Sequence, residues 1–350
     1  YQAIQEAAEA AEVAELVARQ GCGNWAIYCE CADDMDHNFA KIIYCGREWC
    51  ANCGKPRSAV HNRRISRVLP KAYQLKTAGY FVIEFPLWYR QVGPKGLDLD
   101  ASSGYGWCYS KDDIRGSTNT IVDVLAGKRT GNKRRTGGYF DRGLVRWHWF
   151  GDVHAGKWNP HVNILVDGGF MKPKRLHEIR DRLRAELHVP ELIVNYSYAS
   201  TPGKIFHSVE YITRPTFLKY SWDPYMANQL YNFRNQRWWG KWHDEPAWTL
   251  EDLDGEALSG FAEIEKLRTG LCPDCGAELK TLGFSKCDGH AVKWTRPIDT
   301  AYLVIWGAVE IGRTGYYRVH DPGWKNRTGQ RAVNGDIILL PALNKRERGP

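Results

Sequence analysis

In "WNPHVNILV", His161 and Asn163 stand two residues apart at the start of an apolar run. On a strand that spacing sends both side chains from one face while Val162 points to the other. The preceding strand-like run, "GLVRWHWF", offers His148 between Trp147 and Trp149, which alternation turns the opposite way. Two imidazoles and an amide oxygen can hold one divalent ion and leave positions open on it, an arrangement suited to Mn²⁺ and less to Mg²⁺. Such an ion can bind a phosphodiester oxygen and stabilise developing negative charge. Further along, "FHSVEYITRP" reads as a short helix from Phe206 to Arg214 stopped by Pro215. It carries Tyr211 one turn after His207 and three residues before Arg214. A phenol is a poor nucleophile near neutrality, with a reference pKa of about 10, so it needs a cation or metal nearby. By itself, Tyr211 reads as an ordinary tyrosine of a helix surface or core.

Nine of ten cysteines fall in two groups, Cys22 to Cys53 and Cys272 to Cys287, and only Cys108 stands apart. Local CxxC steps fit metal-bound thiolates in a reducing compartment better than disulfides. "CGREWCANCG" places Cys45, Cys50 and Cys53 near one ion, with Cys29 or Cys31 as the fourth ligand and Cys22 or His37 as outside candidates. In "CPDCGAELKTLGFSKCDGH", Cys272, Cys275, Cys287 and His290 make a second complete ligand set. Both read as structural Zn²⁺ sites. Unliganded thiols, and for the second group a redox CxxC, are the alternatives.

The elements that must position these groups follow from periodicity. "YFVIEF" from Tyr80, "GLVRWHWF", "HVNILV" and "ELIVNYSY" read as strands, and Lys174 to Leu187 is the clearest helix. Further helices are expected over Ala7 to Ala18, after Pro56, near Asp113 to Leu125 and near Leu258 to Leu267. In the helix after Pro56, Val60, Ile65 and Val68 face inward while Arg63, Arg64 and Arg67 reach outward towards a polyanion. The class is α+β, a central antiparallel β-sheet with helices on one face, plus zinc-binding modules. Three units are expected: 1–70, a helix and zinc-binding basic region; 71–237, the domain that carries His148, His161, Asn163 and Tyr211; and 238–350, with the second cysteine cluster.

The 350 residues carry 48 Lys and Arg against 40 Asp and Glu, a formal charge of +8. Further basic groups lie at Lys128 to Arg135 and from Lys172 to Arg184, each able to meet phosphates or simply to be solvated. Fifteen tryptophans and eighteen tyrosines offer stacking surfaces for unpaired bases or serve as core; Trp238 and Trp239 fit either use. No apolar run approaches the roughly 18 residues that cross a bilayer, and the acidic N-terminal stretch is unlike a secretion signal. A cytoplasmic protein, of a prokaryotic cell or of a virus-infected host, is therefore expected. The absence of GxxxxGK[ST] places any helicase in a separate protein.

Taken in order, "YFVIEF", "RWHWFGDVHAGKWNPHVNILV" and "HSVEYITR" resemble the three motifs of rolling-circle replication initiators, the histidine–hydrophobic–histidine endonucleases of plasmids, phages and related transposases. The resemblance covers about Cys29 to Pro215, and "CGREWCANCG" followed by a basic helix is similar to the zinc-binding region that precedes many such nucleases. It implies a palm-like antiparallel sheet of the kind found in RNA-recognition folds. His161 takes the place of the first metal-binding histidine, Asn163 that of the second, and His148 that of the polar ligand on the preceding strand. Tyr211 matches the nucleophile, and Arg214 stands where a lysine is common. Asn163 for histidine and His148 for a carboxylate are departures. The implied activity is nicking and rejoining of single-stranded or hairpin DNA at a replication origin, through a 5′-phosphotyrosine, with a host polymerase extending the free end. A transposase with the same chemistry would differ in its DNA. A zinc protein that binds nucleic acid without catalysis would keep Tyr211 distant from His148 and His161.

Overall fold

A computed structural model of the chain describes residues 22–34, 36–45, 47, 50, 52–55, 57–86, 111–128, 137–150, 158–216, 230, 233–253, 260–281, 297–299, 303, 307–319, 332–333 and 336–337. The expected helix over Ala7 to Ala18, and Cys108, Arg129, Lys133 to Arg135, Cys287 and His290, lie outside the described residues.

The fold is α+β, as expected, with two larger antiparallel sheets and a two-stranded one among the described residues. β1 (Trp25–Cys31) and β2 (Asn38–Ile43) form a hairpin, followed by helix α1 (Ala59–Ala72) and β3 (Ala78–Glu84). Next come α2 (Lys111–Ala126), β4 (Gly143–Phe150), β5 (Trp158–Asp167), α3 (Pro173–Leu187) and β6 (Ile193–Ala199). α4 (Pro202–Thr213) carries Tyr211, and β7 (Gln236–Trp239) and α5 (Phe261–Thr269) follow it. Short strands β8 (Leu279–Thr281), β9 (Pro297–Asp299), β10 (Val309–Ile311) and β11 (Tyr316–Val319) complete the second sheet, and β12 (Ala332–Val333) pairs with β13 (Asp336–Ile337).

The central sheet runs β6-β3-β5-β4-β7, every neighbour antiparallel. Period-two alternation divides its residues cleanly. Phe81, Ile83, Val145, Trp147, Trp149, Val162, Ile164 and Val166 pack with Ile114, Ile121 and Leu125 of α2 and with Ile179 and Leu183 of α3. Burial of side chains this size contributes about 1.5–3 kcal/mol each. Tyr80, Leu144 and Leu165 face the other way, against Ile65, Val68 and Leu69 of α1 and Ile205, Val209 and Ile212 of α4. Helices therefore cover both faces, where the sequence suggested one. The strands alternate two apolar sets, and each set requires a cover.

The second sheet joins the ends of the chain. β1 pairs with β8 and β9, and β2 with β11, so the N-terminal hairpin is completed by C-terminal strands. The expected units 1–70 and 238–350 thus share one sheet, and β7 carries the central sheet across residue 237.

Arg63 helps to fasten this junction. Its Nε donates to the Thr314 carbonyl at 2.6 Å, Nη1 to Ile42 at 2.7 Å and Nη2 to Gly315 at 2.7 Å. Tyr44 and Tyr316 hold the guanidinium between their rings, 4.9 and 4.7 Å from its Cζ. Arg63 is 6% exposed, which corrects its expected role at a phosphate: helix periodicity turns it inward beside Val60. Arg63→Met is expected to lower stability by about 3 kcal/mol or more, since three buried carbonyls lose a charged donor. Urea unfolding measures this, and Arg63→Lys should recover only part because an ammonium does not match the fork.

Arginines of α3 are also engaged with backbone. Arg175, Arg180, Arg182 and Arg184 donate to the carbonyls of Tyr139, Val194, Gly137 and Leu192, and Lys128 lies 3.4 Å from the Glu186 carboxylate. Trp239 is buried, and Trp238 stacks under the Lys71 ammonium at 4.3 Å. Among the described residues no helix is long and apolar enough to cross a membrane.

Candidate functional site

His148 and His161 are directly opposed partners of β4 and β5. Direct cross-strand pairs hold their Cβ atoms about 5 Å apart, and here the two rings meet edge to face with centroids 5.3 Å apart. Asn163 follows on the same face, opposite Arg146. α4 crosses this face and brings the Tyr211 ring to 5.6 Å from His148. Pro215 bars Arg214 from helical geometry, leaving it extended at φ −61°, ψ 147°. Its guanidinium lies over the Tyr211 ring at 4.0 Å. Tyr211, His148, His161, Asn163 and Arg214, drawn from three elements, therefore meet at one place. His207 does not join them: its side chain is 80% exposed and 3.8 Å from the Glu210 carboxylate. One turn earlier on α4, it faces solvent rather than the sheet.

The two histidines are set in a common way. Nδ1 of His161 lies 2.8 Å from the Asn159 carbonyl, and Nε2 of His148 lies 3.2 Å from that of Ile212. A carbonyl only accepts, so those nitrogens carry the hydrogens, and His161 Nε2 and His148 Nδ1 hold lone pairs. A metal-ligating histidine is oriented by the same kind of bond. Nδ1 of His148 is buried without a hydrogen-bond partner. Burial, then His161 and Arg146, hold the His148 imidazole neutral, well below its ordinary pKa.

Two residues that sequence reading passed over belong here. Tyr80 donates its hydroxyl to Asn163 Oδ1 at 2.9 Å, reaching diagonally from β3, and its ring meets that of Tyr211 at 6.0 Å. Arg146, 3% exposed, shares the face of His148. Alternation in "VRWHWF" would have marked Arg146; Tyr80 needed the strand order.

The cysteines sort differently from the sequence expectation. Cys22, Cys45, Cys50 and Cys53 form one group, and Cys31, His37, Cys272 and Cys275 another, each with ligand atoms within 4.8 Å of one another. These are the groups of three or more His, Cys, Asp or Glu that meet so closely among the described residues. The hairpin explains the sorting. Cys22 precedes β1 and Cys45 follows β2, at the open end, whereas Cys31 and His37 flank the turn. Seven strand residues at about 3.3 Å each separate those ends by roughly 20 Å, so Cys31 cannot join Cys45. Cys29 is in neither group; burial, then neighbouring Cys272, push its thiol up to about 12. Cys272 and Cys275 meet Cys31 and His37, because β8 pairs with β1 and brings their turn to the hairpin; the expected Cys287 and His290 lie outside the described residues.

Both groups can hold a metal ion. Sulfur separations of 3.4 Å for Cys22–Cys53, 3.6 Å for Cys45–Cys53 and 3.3 Å for Cys31–Cys275 are too long for a disulfide and near the roughly 3.8 Å edge of a tetrahedron with Zn–S bonds of about 2.3 Å. His37 presents Nδ1 to Cys272 Sγ at 3.6 Å while its Nε2 lies 3.5 Å from the Asp34 carboxylate, the carboxylate–histidine pairing that orients metal ligands. Against burial, which raises it, backbone N–H groups of Asp33 and Asp34 and the thiols of Cys275 and Cys272 lower the Cys31 thiol to about 7.

No protein-family model, curated protein or solved structure matches the chain. Function therefore rests on the geometry.

Proposed function

We propose that the chain is a metal-dependent endonuclease and strand transferase that nicks and rejoins single-stranded DNA at a replication origin through Tyr211. The observation that carries this reading is the approach of the Tyr211 ring to within 5.6 Å of His148, which itself faces His161 across the sheet. A tyrosine held beside two oriented imidazoles and a guanidinium suits attack on a phosphodiester. The resemblance to rolling-circle initiators in the same three segments supports it further.

His148, His161 and Asn163 would hold a Mn²⁺ or Mg²⁺ ion; their lone pairs and the unpartnered Nδ1 of His148 fit it. When bound, the ion supplies charge stabilisation at a phosphate oxygen. Tyr211 Oη forms a bond to phosphorus as the bond to the 3′-oxygen breaks. The phenolic proton leaves to solvent, and the departing 3′-oxygen takes one up. The product is a 5′-phosphotyrosine and a free 3′-hydroxyl, which can prime a polymerase or attack in reverse to rejoin the strand. Arg214, over the ring, stabilises the charge that develops. Tyr80 holds the Asn163 amide. Tyr80→Phe is expected to weaken Mn²⁺ binding about 10- to 100-fold with the fold retained, as read by titration calorimetry; unchanged affinity would remove Asn163 from the ligand set.

Each cysteine group holds Zn²⁺ in a structural role on this reading, and exposed lysines such as Lys172 and Lys174 contact phosphates. Incubation with Mn²⁺ and end-labelled single strands covering candidate origins tests the main proposal. A denaturant-resistant adduct on the 5′-end of one fragment is expected, and cleavage that leaves no protein-linked DNA would point to water as the nucleophile.

A further inference from the structure

The last turn of α4 is met by a side chain from outside the helix, His61, beside Thr213 of the helix itself. The Arg214 N–H bonds back to the Tyr211 carbonyl, and the Glu210 carbonyl, one of those left open at a helix end, lies 3.3 Å from Thr213 Oγ1 within α4 and also meets a side chain from another helix. Nε2 of His61, on α1, lies 3.1 Å from that carbonyl. Thr213 Oγ1 sits 3.3 Å from the same nitrogen and donates to Val209 O at 2.7 Å. His61 is 5% exposed.

The other ring nitrogen leads to the cysteines. The backbone N–H of Arg57 donates to His61 Nδ1 at 3.1 Å. An N–H cannot accept, so the tautomer is settled: Nδ1 accepts and Nε2–H points at α4. Arg57 has φ +54°, a left-handed conformation that a residue with a side chain adopts where its surroundings impose it. It lies four residues beyond Cys53, whose thiol is 3.4 and 3.6 Å from those of Cys22 and Cys45.

We infer that His61 is a positioning residue that joins the four-cysteine metal site to the helix turn bearing Tyr211, through Arg57 on one side and the Glu210 carbonyl on the other. Metal held by Cys22, Cys45, Cys50 and Cys53 fixes the loop entering α1; His61 passes that order to α4. The role in chemistry rests on Tyr211 being the nucleophile, whereas the mechanical connection does not.

Three substitutions separate the halves of the connection. The amide of His61→Gln reaches the position of Nε2 and can donate to Glu210, that of His61→Asn reaches only Nδ1, and His61→Phe fills the space with neither. In zinc-loaded protein, hydrogen exchange of residues 209–214 is expected to rise about tenfold in the Phe and Asn variants, one hydrogen bond's worth, and to return towards wild type in Gln. Coupling is reciprocal, so His61→Phe should also speed zinc release from one of the two sites to a chromophoric chelator. An unchanged α4, or an equal rise across α3 on the opposite face, overturns the inference, as does zinc release at the wild-type rate. If the exchange result holds but wild-type protein forms no DNA adduct, the endonuclease reading fails and the connection stands. If adducts form in His61→Phe at the wild-type maximal rate, His61 does not position the nucleophile.

Discussion

Zinc removal is expected to unfold the chain at both ends together. The Cys31, His37, Cys272 and Cys275 group joins a hairpin at the start of the chain to a turn near its end, and His37 and Cys272 are 235 residues apart. A cross-link closing a loop of that length removes about 5 kcal/mol of unfolded-state entropy, and one closing the 31 residues between Cys22 and Cys53 removes about 4 kcal/mol. Structural zinc binds with roughly 10–16 kcal/mol, comparable to the entire 5–15 kcal/mol stability of an ordinary domain. The strands this group secures, β8 to β11, are three or four residues long and bury too little to persist alone.

Chelation should therefore abolish the thermal transition or lower its midpoint by tens of degrees, as followed by circular dichroism, and zinc should restore it. Metal analysis of serine variants distinguishes the ligand sets. Cys31→Ser should drop the content from two ions to one, Cys29→Ser should leave two, and Cys287→Ser should also leave two. Loss of an ion in Cys287→Ser, with retention in Cys31→Ser, would reinstate the local pairing suggested by the sequence. A metal-free protein with an unaltered transition would end the structural-zinc assignment.

Tyr211→Phe is expected to abolish covalent capture of DNA, with the rate falling by a factor of about a thousand or more, since no other group replaces the attacking oxygen. The fold should remain intact. The ring's contacts with His148 and Tyr80, and its cover by Arg214, all survive removal of one hydroxyl. DNA affinity should change by less than about threefold, because phosphate contacts position the strand without taking part in attack. Adduct yield on labelled strands, with binding measured in parallel by anisotropy, separates these effects. Equal adduct from both proteins would exclude Tyr211, whereas lost binding would make it a DNA contact.

Much of the scaffold can be read along the chain. "GLVRWHWF" becomes β4 without change of limits, Lys174 to Leu187 becomes α3 starting one residue earlier at Pro173, and Trp147 and Trp149 do oppose His148. These features follow from local rules, since period two and period 3.6 act within a few residues. Arg63 shows where such rules stop. Its place in a basic run suggested solvent and phosphate, yet two carbonyls some 250 residues later and a third on β2 receive it. His61 carried no signal at all, because its value lies in two partners on different elements.

The cysteine sets make the same division clear. Sequence alone determined that clustered thiols and histidines are present, that two strands and a helix carry His148, His161, Asn163 and Tyr211, and that each side chain leaves a given face of its element. Tertiary structure decided which thiols lie close enough to hold one ion and which helix lies over the histidines. Strand alternation is a property of a few adjacent residues, but pairing β1 with β8, or laying α4 across β4 and β5, depends on apolar surfaces far apart in the chain finding one another. A ligand set made by such pairing cannot be counted off from spacing.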